Sequence, residues 1–253
     1  MNYGMYLSAA GVQTSMHRQD VYANNLANVD TVGFKPDTVF LRERNVERLD
    51  GAFADVSPHE LLEQLGGGHL AEPTRVMLMQ GSLVQSGNPL DVAIDGDGFL
   101  TVRGEDGQTA LTRDGRMVIG PSGQLVMATT GAPVLNDAGL PITLDLSLPV
   151  EIDSTGAIRQ NSLTVDQLGL VDVTDPTALR KEGNNLLTLD PAAALTQSDA
   201  RIRQGYTESS AVDPIKAMMA MTSAAKAVSA NARMMQFHDN TLSELFGRVG
   251  RIG

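Results

Sequence analysis

The pattern that most limits how this chain can fold lies at its two ends. Asp213 and Pro214 form a helix start, a capping carboxylate followed by proline at the first helical position. Beyond them Met218, Met221, Ala225, Val228, Ala232, Met235, Leu242 and Phe246 recur at steps of three and four, with Asp239 as the one polar interruption. A helix over 214–245 would be roughly 45 Å long at ~1.5 Å per residue, which is long for a globular domain. The first segment, from about Met5 to Asn28, carries a similar stripe of Met5, Ala9, Val12, Met16, Ala23 and Leu26, broken once by Gln19. A long helix with a single narrow seam needs another helix to lie against, and the comparable partner sits at the opposite end of the chain. The two ends are therefore expected to pair as a coiled coil.

Between them the texture changes. From Asn88 onward short β-rich runs alternate with turn signals: PLDVAI, DGDG, FLTVR, GEDG, QTALT, RDG, RMVI, GPSG, QLVM and TTG. Further strands are predicted around Pro141 to Asp145, Val150 to Asp153, Leu168 to Val173 and Leu186 to Leu189, ahead of a loop at DPAAALTQSD. The spacing suits an antiparallel sandwich or irregular barrel. Residues 41–73 fit neither texture and hold one short helical candidate, SPHELLEQL, followed by three glycines. The expected class is α+β, with four parts: 1–35 as the N-terminal helix and junction, 36–80 as an extension or hinge, 81–204 as the central β-rich domain and 205–253 as the C-terminal helix.

Composition removes several kinds of function. The chain has 253 residues and a net charge of -11, which repels nucleic acid and anionic lipid. It has no cysteine, so disulfides, thiolate metal sites and cysteine nucleophiles are excluded. His17, His59, His69 and His238 are scattered without metal-ligand spacing, and no phosphate loop or dinucleotide fingerprint is present. The acidic IDGDGF stretch departs from a calcium loop where glycine and oxygen ligands are required, because Phe99 and Leu100 fill those places, and so reads as a hairpin turn. No catalytic residue, metal or cofactor is expected. Neither a Sec signal peptide nor a membrane-spanning run is seen, so insertion into a membrane is not expected.

One segment, YANNLANVDTVGFK at residues 22–35, is odd for a helix end. It places Asn24, Asn25 and Asn28 where asparagine is a mediocre helix former. Within a seam a polar side chain penalises wrong registers, so these three are candidate interface residues. Asn28 and Asp30 also terminate a helix well. Gly33 would supply a backbone conformation that most residues resist, and Phe34 would anchor the chain as it leaves the helix.

Four stretches together resemble the bacterial flagellar rod and hook proteins, specifically the basal-body rod branch: YANNLANVDTVGFK, QGSLVQSGNPLDVAIDGDGFLTV, LTRDGRMVIGPSGQLV and GYTESSAVDPIKAMMAMTSAAKAV. They run almost end to end in the family's order. The resemblance implies a structural subunit, not an enzyme, that polymerises into the axial tube crossing the periplasm and transmits torque from motor to hook. It implies paired terminal helices as the inner tube and the β domain as the outer layer. The implied partners are copies of itself, other rod, hook and ring subunits, and the flagellar type III export apparatus, which takes its substrates without a cleaved signal. The length favours a rod over a hook subunit, and both proximal and distal rod types fit. The rival reading is a β-rich protein that binds or hydrolyses cell-wall glycan, with helices that merely clamp it.

Overall fold

A computed structural model describes residues 2–43, 68–191 and 193–249. The chain is α+β: an N-terminal helix α1 (Asn2–Ala27), a C-terminal helix α2 (Pro214–Val249) and antiparallel strands between them. The chain divides into two units. The first holds residues 1–26, 37–74 and 214–253, and the second residues 27–36 and 75–213. The helical candidate SPHELLEQL lies outside the described residues.

In the helical unit, α1 and α2 approach closely along an antiparallel line. A Cβ placed on Gly4 would sit 2.6 Å from His238 Nε2, and one on Gly11 would sit 2.9 Å from the Asn231 amide. The two contacts are one heptad apart on each helix and run in opposite chain directions. Beside the helices the strand Leu41–Glu43 pairs antiparallel with His69–Ala71.

The β unit is built on a six-stranded antiparallel sheet. Its order is Leu179–Gly183, Leu186–Leu189, Thr109–Thr112, Phe99–Arg103, Leu170–Val173 and Leu195–Gln197. Strand alternation sends neighbouring residues to opposite faces. Leu100, Val102 and Ala110 join the larger core with Met117, Leu125, Ile142, Ile158 and Leu168, while Phe99 and Leu111 join a smaller one with Val76, Val173, Leu179 and Leu187. The small sheets holding Met117–Ile119 and Val150–Ile152 are separate from the main sheet, and their Met117 and Ile152 share its larger core. The DPAAALTQSD stretch is not wholly a loop either. Its Leu195–Gln197 pairs with Leu170–Val173 and forms the sheet edge, a strand whose Leu-Thr-Gln composition gives little apolar signal.

Turn chemistry sets the register of two hairpins. Asn161-Ser162 and Asn184-Asn185 each place two consecutive residues at positive φ (51° and 64°, 49° and 61°), the backbone of the tight turn that matches strand twist. Elsewhere Asp145, Asp153 and Asp175 accept hydrogen bonds from Ser147, Thr155 and Thr177 two residues on, and those hydroxyls hold each carboxyl below its ordinary range. Two further antiparallel pairs, Arg201–Gln204 with Val92–Asp95 and Tyr206–Glu208 with Leu83–Gln85, bring the C-terminal end of the β unit back beside its start.

Candidate functional site: a helix seam and a buried charge junction

Around the two close approaches at Asn231 and His238, heptad spacing on α2 picks out Ala217, Met221, Ala224, Val228, Met235 and Leu242, and all eight residues are buried or half-buried. Every seventh residue of one row is bulky (Met221, Val228, Met235, Leu242), and the other row is small or polar. On α1 the matching line runs through Gly4, Ser8, Gly11, Ser15, Tyr22 and Asn25, with Ser8, Ser15 and Asn25 buried. Glycine faces His238 and Asn231, so small residues admit large ones across the seam.

The apolar stripe of α1 lies about one residue aside from this line. Met5, Ala9, Val12 and Leu26 are half-buried and Ala23 is exposed, while Met16 is 52% exposed. On α2, Met221, Ala225, Val228, Ala232, Met235 and Leu242 are half-buried. Met218 and Phe246 are exposed at 54% and 70%. Periodicity finds the apolar line, but two backbones approach most closely where side chains are smallest.

At the end of α1 the asparagines divide their work. Asn25 is the buried one, and its amide clasps the peptide of Asp37: Nδ2 donates to the carbonyl at 2.8 Å and Oδ1 accepts from the N–H at 2.9 Å. That pair of hydrogen bonds fastens the returning chain to the helix. The Asn28 carbonyl accepts from the Thr31 N–H and its Oδ1 from the Thr31 hydroxyl, closing the turn, while Asn24 is exposed.

Within the β unit, Gly33 takes φ +70° and donates its N–H to the Glu208 carbonyl at 2.7 Å. A Cβ there would lie 2.4 Å from the Arg113 carbonyl carbon, so glycine is needed for both conformation and space. Phe34 is buried, with the Lys181 ammonium 4.0 Å from its ring centroid.

Next to Gly33 three charges are buried together. The Glu208 carboxylate, 1% exposed, accepts from Lys35 Nζ at 2.7 Å, from Arg113 Nη1 at 3.2 Å and from the Gly81 N–H at 2.8 Å. Lys35 also donates to the Met79 carbonyl and Arg113 to that of Gly96, and the Arg113 guanidinium lies 5.2 Å from the Phe99 ring centroid. Burial pushes the Lys35 ammonium below its ordinary pKa, against the hydrogen bond and charge of Glu208, which raise it. Two cations share one anion here, so the carboxylate is the member on which the others depend. Sequence reasoning missed this group. Its signal is weak: Lys35, Arg113 and Glu208 each stand beside turn residues in three separate stretches.

Three family models match this chain in order. A flagella basal body rod protein model covers residues 5–35, a flagellar hook protein FlgE/F/G D1 domain model covers 93–173, and a flagellar basal body rod FlgEFG protein C-terminal model covers 203–246. Among curated proteins, the chain is 33% identical to the flagellar basal-body rod protein FlgF of Caulobacter vibrioides, over 100% of this chain and 99% of that one. It is 27% identical to FlgG of Agrobacterium fabrum over 94% and 95% of the two chains, and 29% identical to FlgG of Bacillus subtilis over 95% and 97%. Lys35, Arg113 and Glu208 fall one in each of the three matched segments.

Proposed function

The chain belongs to the flagellar basal-body rod protein family and is a structural subunit of the rod, not an enzyme; from that premise we propose that its terminal helices pair as a coiled coil and polymerise. Its partners are copies of itself and other rod, hook and ring subunits, and together they make the axis that crosses the periplasm and passes torque from motor to hook. It reaches that place through the flagellar export apparatus. Among the described residues no helix is long and apolar enough to cross a membrane.

The observation that carries this reading is the apolar surface left on the helices once the seam is filled. Met16, Met218, Met219, Met234, Phe237 and Phe246 are each half exposed or more. They point to several sides, as a subunit surrounded by neighbours requires. Methionine adapts to differing partners, which suits a lattice with unlike contacts.

The seam also favours assembly over a rigid monomer. Its α1 side is mostly glycine, serine and asparagine, with Tyr22 the one large side chain, so pairing the two helices alone buries little apolar surface. Helix order is then completed by neighbours, a coupled step that discourages premature polymerisation. Val228→Glu tests the reading by placing a charge in the seam. Cells carrying this variant lose motility while the isolated protein keeps a folded β unit; normal swimming would count against the model.

A further inference from the structure

The chain passes between the helical and β units at 26–27, 36–37, 74–75 and 213–214. Inside the β unit, the segments next to these crossings meet at one residue. Gly33 donates its N–H to the Glu208 carbonyl and Ala211 donates to that of Phe34, so the segment after α1 is bonded to the segment before α2. Glu208 Oε1 accepts from Lys35 of the first segment and from the Gly81 N–H, in the segment that begins at residue 75. Lys35 reaches that segment too, through the Met79 carbonyl. Arg113 follows the sheet strand Thr109–Thr112 directly, and its bond to Glu208 Oε2 ties the group to the six-stranded sheet.

The fit leaves no slack. A Cβ on Gly81 would overlap the Ser209 carbonyl oxygen, and one on Gly33 would overlap the Arg113 carbonyl, so backbones touch at both places. The bonds from residues 33 and 34 go to 208 and 211 in the same chain direction, as between parallel strands. Force entering at residues 27 and 213 therefore acts at opposite ends of this pair and along it. It loads the two backbone bonds and the ion pair together instead of opening them one by one. Hydrogen bonds to a carboxylate from charged donors are roughly twice as strong as neutral ones, so the ion pair carries a large share. A buried carboxylate that only stabilised the fold would have no need to stand where every crossing of the chain arrives.

We propose that Glu208 is the residue that couples load into the β unit: it gathers the chain crossings and, through Arg113, passes their pull to the six-stranded sheet. This rests on the rod reading above, in which the subunit passes torque, and names the residues that do so within one copy. With the carboxylate in place, pull arriving through the helices is spread over the sheet. Without it, the Gly33 and Phe34 bonds carry the pull alone, and Tyr206–Glu208 peels from Leu83–Gln85.

Single-molecule force spectroscopy of the full chain tests this by pulling in two directions. In one, handles on the two ends make the crossings carry the force. In the other, handles sit at Glu105→Cys and Thr164→Cys, exposed positions in a chain without cysteine, and the crossings lie outside the pulled segment. Glu208→Gln and a triple variant, Lys35→Met with Arg113→Met and Glu208→Met, are compared with the unaltered residues. The triple variant leaves no charge unpaired and keeps the test open where Glu208→Gln does not fold. In both variants the opening force through the ends is expected to lose most of its value, while the force through the cysteine handles is kept. An equal fractional loss in the two directions marks a purely structural role and overturns the proposal, as does an unchanged force through the ends. Either result leaves the rod reading in place, because the measurement needs no assembly. Absence of the unaltered chain from basal bodies removes the rod reading, and with it the torque that Glu208 would pass.

Discussion

Replacing Glu208 with alanine should be among the most damaging single changes in the β unit. It removes the carboxylate that accepts from Lys35, Arg113 and the Gly81 N–H, while both cationic side chains remain only 2% exposed. Removing one partner of a buried ion pair costs about 3–5 kcal/mol. The Gly81 donor adds roughly 1 kcal/mol. Relief comes from the retained bonds of Lys35 to Met79 and Arg113 to Gly96. A net loss of about 3–4 kcal/mol follows, or a fall in Tm of roughly 6–16 °C for a domain of this size. Urea unfolding followed by far-ultraviolet circular dichroism measures it, with Asp95→Ala as control. Asp95 pairs with Arg203 at the surface, 37% and 53% exposed, and such a pair is worth about 0–1 kcal/mol. A Glu208→Ala loss no greater than that of Asp95→Ala would refute the reasoning. Replacing all three charges with leucine or methionine should recover much of the loss, because the penalty lies in leaving charges unpaired.

Other expectations follow from the same geometry. Gly33→Ala imposes positive φ on a residue with a Cβ and drives it into the Arg113 backbone, so it should destabilise the β unit by more than about 1–2 kcal/mol in the same urea assay. Gly11→Leu pushes α1 off Asn231 and should lower assembly into basal bodies while leaving β-unit unfolding unchanged. Because the folded state lowers the Lys35 pKa, the unfolded chain binds more protons between that lowered value and about 10.4. Across that window the stability of the unaltered protein should rise with pH relative to Lys35→Met, and a falling difference would reverse the assigned sign. Hydrogen exchange on monomer should find weak protection over 5–28 and 214–245, and strong protection there would remove coupled folding from the account. An Asn24→Leu, Asn28→Leu variant should fold and assemble with altered order, seen by electron microscopy of rods.

The two terminal helices and the antiparallel β unit were readable because each has a strong local period, three to four residues in one and two in the other. Turns declared themselves through Gly, Asn and Asp. The strand at Leu195–Gln197 did not, since an edge strand with one face in solvent needs few apolar residues. The line of closest helix approach was hidden for a different reason. Gly4 and Gly11 are silent in a hydrophobic pattern and gain meaning only with His238 and Asn231 opposite. Asn25 was visible as an anomaly, but its partner is a backbone peptide, which carries no side-chain signature. The junction of Lys35, Arg113 and Glu208 joins groups up to 173 positions apart, and no periodicity reports a pairing of that kind.

The central claim is that this chain is built into the rod through its helix seam. Quantitative mass spectrometry of purified basal bodies, from cells expressing either the unaltered chain or Val228→Glu, tests it most directly. The account predicts that the unaltered chain co-purifies with the other rod subunits and that Val228→Glu is missing while its β unit still folds. Equal incorporation of the two would contradict it.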